Sequence, residues 1–238
     1  MDRDRPRNVR AALFDLDDTL YPYPPCNAAG QAAAHERSRA LGYDLDREAF
    51  EALYRAGRRE VKREVPGTAA AHDRHLYFKR GIETHAGDHA RGDALALADA
   101  YWEAYFDEME LFYGVEATLR SLTDADVDLA VVTNLTARIQ MRKVDRLGIA
   151  PHVDVLITSE ETGREKPGSA PFTVALSRLD RRPGESVMVG NSVSSDVAGG
   201  NAVGLETVLF NGDEDDPADH RCPDHRVDGF GEIAGLVL

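Results

Sequence analysis

Hydrophobic and polar positions fall into two textures along the chain. From about residue 114 onward, short apolar runs alternate with stretches of helical spacing. "VDLAVVTN" (127–134) predicts a strand buried on both faces, and "TARIQMRKVDRLGI" (136–149) a helix after it. "VDVLITSEE", "ESVMVGN" and "ETVLFNG" predict three more strands, separated by helical "SAPFTVALSRLD" and "SSDVAGGNAVG". In "SAPFTVALSRLD", Ser169 suits a helix cap and Pro171 is tolerated in the first turn. "RAALFDLD" at the N-terminal end supplies one further strand. Strands alternating with helices predict a parallel sheet covered on both faces.

Residues 25–112 read differently. "NAAGQAAAHERSRAL", "REAFEALYRAGRREVKREV", "AAAHDRHLYFKRGIETHAG" and "GDALALADAYWEAYFDEM" all have helical spacing, and no strand interrupts them. Phe50, Leu53, Tyr54, Tyr77, Phe78, Tyr101, Trp102 and Phe106 predict a core belonging to this block. The expected organisation is an α/β core from residues 1–24 and 113–238, with an all-helical insert at 25–112. The polar stretch "NGDEDDPADHRCPDHR" predicts a surface loop. "RVDGFGEIAGLVL" then closes the chain as a short extended piece and a helix.

Composition narrows the class. The 238 residues carry a net charge of −14, which speaks against a nucleic-acid-binding surface. No apolar run approaches the ~20 residues of a membrane span. "MDRDRPRNVR" leads into no hydrophobic signal region, so a cytoplasmic protein is expected. Lysine occurs only at Lys62, Lys79, Lys143 and Lys166, while arginine is frequent and aspartate outnumbers glutamate. That fits a GC-rich genome with an acidic pI, or adaptation to a salty cytoplasm that screens acidic repulsion. Cys26 and Cys222 make neither a disulfide framework nor a cysteine-rich zinc site. "HDRH" places His72 and His75 one helical turn apart, read as a surface helix face.

The chemistry collects after the strands, where parallel sheets bind ligands. "RAALFDLDDTL" runs a buried strand into Asp15, Asp17 and Asp18, followed by Thr19. "LAVV" ends in Thr133 and Asn134. "VDVLITS" and its loop deliver Lys166. "VMVG" delivers Asn191, Ser192 and then Asp196. Each piece alone is common; the conjunction in order and strand context is not.

The set resembles the haloacid dehalogenase superfamily of phosphohydrolases. "DLDDTL" is similar to its first motif, "VVTN" to its second, the lysine of "EKPGSAPF" to its third and "VGNSVSSD" to its fourth. The helical block resembles that superfamily's C1 cap in its all-helical form. The resemblance implies a Rossmann-like core and a phosphatase acting on a small phosphorylated metabolite. Asp15 would be the nucleophile, forming an aspartyl-phosphate. Asp17 would be general acid and base. Thr133 would bind a phosphoryl oxygen, and Lys166 would neutralise charge on nucleophile and phosphate. Amides near Leu16 and Asn134 would add phosphate-binding donors. Mg²⁺ would sit on Asp15, the Asp17 carbonyl, Asn191 and Asp196, the last directly or through water. Asp18 is read as a turn residue. A mobile cap would close over the site. Arg58, Arg59, Lys62, Lys79 and Arg80 in the helical block are read as surface charges or substrate contacts. The chain would act as a monomer or homodimer.

One departure stands out. The fourth motif usually begins Gly-Asp, and here it is Gly190-Asn191. An amide oxygen still ligates Mg²⁺ but brings no charge, so weaker binding or a shifted metal preference is expected. Three alternatives remain: a dehalogenase, in which aspartate attacks carbon and needs no Asp17; a phosphomutase; and a non-catalytic relative that binds a phosphorylated ligand.

Overall fold

The computed structural model describes residues 9–87, 89–212 and 221–238. Strand β1 (Ala11–Phe14) leads into four helices: α1 (Tyr23–Ala40), α2 (Arg47–Glu64), α3 (Arg74–Ala86) and α4 (Arg91–Asp107). Helix α5 (Val115–Asp124) brings the chain back to β2 (Asp128–Thr133). There follow α6 (Ala137–Arg146), β3 (Val155–Thr158), the one-turn α7 (Ser159–Thr162), α8 (Ser169–Leu179) and β4 (Ser186–Gly190). Helix α9 (Ala198–Val203), β5 (Glu206–Phe210), β6 (His225–Val227) and α10 (Glu232–Val237) complete the chain. Two compact units result, with divisions at Pro22–Tyr23 and at Met109–Glu110.

The α/β unit is a six-stranded, wholly parallel sheet in the order β3-β2-β1-β4-β5-β6. Its central strands carry few polar side chains because helices cover both faces. Residues two apart in a strand share a face. Ala11 and Leu13 pack with Ala130, Val132, Phe172 and Leu176 on one side. Phe14 points to the other, where it stacks on Phe230 at 5.8 Å, and Phe230 meets Phe210 at 5.3 Å. The chain runs outward from β1 to β3, then starts again at β4 on the other side of β1. That reversal opens a crevice past the carboxyl ends of β1 and β4.

The helical unit buries Phe50, Leu53, Tyr54, Tyr77, Phe78, Tyr101, Trp102 and Phe106. Its rings meet edge-to-face, tilted or stacked at 5.1–6.2 Å. Helices α2 and α3 approach closely at Gly57, where a Cβ would collide with the Tyr77 carbonyl. No strand occurs among the described residues of this unit.

Three local expectations change. Helix α1 begins at Tyr23, four residues before the predicted stretch, with Pro24 and Pro25 in a first turn that needs no amide donors. Ser169 is the first helical residue of α8 rather than its cap; Gly168 holds the cap position and no side chain caps it. "AAAHDRHLYF" is not one helix. A 3₁₀ turn covers Ala69–His72, and Asp73 starts α3 afresh by accepting from the His75 amide at 2.8 Å. His72 and His75 therefore lie on separate elements. Residues 1–8, 88 and 213–220, with most of the N-terminal reading and half of the polar stretch 211–226, lie outside the described residues. No helix among the described residues is long and apolar enough to cross a membrane.

Candidate active site at the carboxyl edge of the sheet

Strand register sets the site. Phe14 lies opposite Val131 of β2 and Val189 of β4, and the Asp15 amide donates to the Val189 carbonyl at 2.9 Å. Asp15 thus leaves the sheet between the two strands that deliver Thr133 and Asn191. The chain then turns sharply. Asp18 takes a left-handed conformation, φ 62°, and its amide donates to the Tyr21 carbonyl at 3.0 Å. Aspartate tolerates that region better than most residues.

Asp15, Lys166 and Asp196 form one buried cluster. Lys166 Nζ donates to Asp15 Oδ1 at 2.7 Å and to Asp196 Oδ1 at 2.6 Å. Asp196 Oδ2 accepts from the Ser192 amide at 3.0 Å, so both of its oxygens are engaged. A Cβ on Gly190 would collide with the Asp196 carboxylate, which explains glycine at the end of β4. Asp15 Oδ2 accepts from Thr19 Oγ1 at 3.2 Å, and Asn191 Oδ1 lies 3.5 Å from the same hydroxyl. Burial pushes the Asp15 carboxyl up to about 7, against the pull of Lys166 and with further upward pressure from Asp196 and Asp17. Burial also lowers the proton affinity of Lys166, but the two carboxylates outweigh it and hold the ammonium above its usual range.

Asp17 has a different environment. Burial raises its pKa, but the Lys143 charge and hydrogen bonds from Lys143, Tyr21 and Gln140 override that and bring it to about 2. Lys143 Nζ lies 2.5 Å from Asp17 Oδ1, the Tyr21 hydroxyl donates to the same oxygen, and Gln140 Nε2 reaches Oδ2 at 3.1 Å. Gln140 Nε2 also donates to Thr133 Oγ1 at 2.5 Å, linking the two positions.

Asn134 uses its side chain on the loop that carries the lysine. Its Oδ1 accepts from the Lys166 amide at 2.8 Å, and its Nδ2 donates to the Lys166 carbonyl at 3.3 Å. The amides of Leu16 and Asn134 donate to no acceptor among the described residues. The edge thus brings together Asp15, Asp17, Thr133, Asn134, Lys166, Asn191 and Asp196. The sequence reading did not single out Lys143, Gln140 and Tyr21, or give Thr19 a role. A signal existed for two of them: the buried face of α6 is Ile139, Gln140, Lys143 and Val144, two polar residues where an amphipathic helix puts apolar ones.

No group of three or more His, Cys, Asp or Glu gathers as a metal cluster among the described residues. The donors near Asp15 are all oxygens, as a hard divalent ion prefers. One carboxylate supplemented by amide and carbonyl oxygens and water suits Mg²⁺.

The family described as haloacid dehalogenase-like hydrolase matches residues 9–204. The chain is 56% identical over 235 residues to the ribulose-1,5-bisphosphate 5-phosphatase of Halopiger xanaduensis, covering 95% of this chain and 98% of that one. It is 30% identical over 233 residues to the glyceraldehyde 3-phosphate phosphatase of Methanopyrus kandleri, covering 96% and 97%. Its fold is similar to the crystal structure of a 2-haloacid dehalogenase from Pseudomonas syringae pv. Tomato, with a TM-score of 0.77, 26% identity and coverage of 96% and 98%. The chain belongs to the haloacid dehalogenase-like hydrolase family.

Proposed function

We propose that this protein is a Mg²⁺-dependent phosphatase that hydrolyses a phosphomonoester of a small phosphorylated metabolite through an aspartyl-phosphate on Asp15. The observation that carries the reading is the buried Asp15–Lys166–Asp196 cluster with Asp17 two residues away. Attack on phosphorus leaves an alkoxide that needs a proton, and in this reading Asp17, two residues past the nucleophile, gives it. Attack on carbon by a dehalogenase has no use for it. The 56% identical relative makes ribulose 1,5-bisphosphate the first substrate to test.

The residues divide the work. A carboxylate oxygen of Asp15 forms the new bond to phosphorus as the bond to the leaving oxygen breaks. Lys166 holds positive charge beside both the nucleophile and the incoming phosphate, while Asp196 keeps the ammonium in place. Thr133 and the amides of Leu16 and Asn134 bind phosphoryl oxygens. Asp17 passes a proton to the leaving oxygen, then takes one from the water that opens the acyl phosphate, which restores Asp15. Without phosphate Asp17 is a carboxylate; a phosphate dianion beside it adds like charge and raises its proton affinity. Asp15, the Asp17 carbonyl and Asn191 would hold Mg²⁺, which reduces repulsion between the anionic nucleophile and the phosphate. Asp196 is the partner of Lys166, and the lone pairs that its two hydrogen bonds leave over would let it meet Mg²⁺ directly or through water. The helical unit serves as the cap that selects the leaving group.

The test is phosphate release from a panel of phosphomonoesters that includes ribulose 1,5-bisphosphate, with and without Mg²⁺, in molar KCl. Metal-dependent turnover that disappears in Asp15→Asn is expected. Turnover that persists in Asp15→Asn, or is indifferent to chelation, would remove the reading.

A further inference from the structure

The helical unit contains a buried arginine with no carboxylate among its hydrogen-bond partners. Arg74, the first residue of α3, is 6% exposed. Its guanidinium donates to the Tyr23 hydroxyl at 2.9 Å, the His72 carbonyl at 2.6 Å and the Tyr101 hydroxyl at 3.4 Å. The faces of Tyr23, Tyr77, Tyr101 and Trp102 lie 5.3–5.9 Å from it. Every one of these partners is uncharged. Its chain neighbour Asp73 uses its carboxylate on the His75 amide and ring.

A chain of hydrogen bonds runs from this arginine to the wall of a cavity. Tyr23 and Tyr101 both donate to Asn27 Oδ1, at 3.0 and 2.8 Å. The acceptor end of that amide is thereby used, and its donor end is left to face other partners. Asn27 and Tyr23 line a cavity of about 320 Å³ with Gln31, Tyr54, Arg55, Arg58 and Glu51. Arg55 and Arg58 make no ion pair among the described residues, while Glu51 is bridged by Arg47 at 2.9 Å. The cavity thus has three arginines in or behind its wall and one carboxylate that already has a partner. In a chain with 42 acidic and 28 basic residues, such an excess is unexpected on charge statistics alone.

We propose that this cavity is an anion site that takes a phosphate group. Guanidinium forks match phosphate oxygens, and the amide and hydroxyl donors complete a set with one sign. The volume is at the small end of ligand pockets, enough for a phosphate and a few attached carbons. The phosphate is either free or carried by a larger phosphorylated molecule such as the substrate, a reading that rests on the phosphatase function above, and the two arms below distinguish these sources.

Two arms test it. Trp102 is the only tryptophan and lies 5.3 Å from the Arg74 guanidinium, so its fluorescence reports the site. Titration with inorganic phosphate, backed by calorimetry, compares wild type with Arg55→Ala/Arg58→Ala and with Arg63→Ala, an exposed arginine of the same helix outside the cavity, as a charge control. The double variant should weaken this phosphate binding by about tenfold or more. Equal binding in both, an equal loss in the control, or a single calorimetric phosphate site with no Trp102 response in wild type overturns the proposal. This arm needs no turnover, so it stands apart from the phosphatase reading. The second arm measures kcat/KM for ribulose 1,5-bisphosphate relative to p-nitrophenyl phosphate. A ratio that falls about tenfold or more in the double variant assigns the site to the substrate's second phosphate. A ratio that holds while phosphate binding is lost assigns it to free phosphate.

Discussion

Lys166 in the α/β unit and Arg74 in the helical unit are both shut away from water, at 3% and 6% exposure. Their surroundings are opposite. Lys166 sits between two carboxylates at 2.7 and 2.6 Å. Arg74 sits among tyrosine hydroxyls and aromatic faces. A compact ammonium keeps its charge in a low-dielectric site only beside anions, and it returns the favour by keeping Asp15 ionisable. A planar, weakly hydrated guanidinium tolerates aromatic faces and a few neutral acceptors. The first arrangement has no positive charge to spare, which suits a lysine that must manage the charge on its own nucleophile. The second leaves positive charge over for something that arrives.

The largest way to break this comparison is Lys166→Met. It strands two buried carboxylates, so stability should fall by ~3–5 kcal/mol at neutral pH. Turnover should fall by ~10²-fold or more. Lys166→Met/Asp196→Asn should recover part of the stability and none of the activity. Chemical denaturation and phosphate release on the same samples check both. A single variant as stable as wild type would mean that the cluster is not charge-balanced by Lys166.

Next in size is Lys143→Met. Lys143 and Gln140 hold the Asp17 carboxylate in place. Loosening it should cost ~10²-fold in kcat on alkyl phosphates, whose leaving oxygens need a proton. The cost should be much smaller on p-nitrophenyl phosphate, whose leaving group does not. A uniform loss on both substrates would make Lys143 a packing residue only.

Arg74→Met should cost less stability than Lys166→Met, about 1–3 kcal/mol from lost aromatic and hydrogen-bond contacts. No carboxylate is orphaned by it. A loss as large as that of Lys166→Met would reveal a buried counter-ion and dissolve the contrast.

The two cations also differ in how legible they were. Lys166 announced itself, since a lysine in a loop after a strand is one of four polar groups that fall at strand ends in order. Sheet register converts that order into contact, because strand spacing is nearly fixed. Asn191 and Thr133 were readable for the same reason. Arg74 was invisible in "AAAHDRHLYF", which scans as one helix. Asp73 caps a new helix there, and tertiary packing then places its first arginine against tyrosines from α1 and α4. Lys143 and Gln140 fell between these cases. Their polarity on the buried face of α6 was in the sequence, but their target, Asp17, lies more than a hundred residues away.

The smallest effect goes to the root of the contrast, because it concerns the one acid next to Arg74 in the chain. Asp73 caps α3 and hydrogen-bonds to the His75 ring at 3.0 Å. Burial raises its pKa, but the bonds and charge of His75, with a smaller pull from Arg74, leave it lowered from 3.8. If its work is capping, Asp73→Ala should cost about 1 kcal/mol. If it were the missing counter-ion, the loss should approach the ~3–5 kcal/mol of a stranded buried charge. The pH dependence gives a second check. A carboxyl whose folded pKa is lowered contributes stability above its unfolded value, and that contribution is lost as pH falls through the folded one. The gap between wild type and variant should therefore hold at neutral pH and begin to close below about pH 4, where the unfolded carboxyl takes its proton. Urea denaturation at pH 7, 5 and 3 measures it, and a gap that widens toward acid would contradict the assignment of Asp73 to the cap.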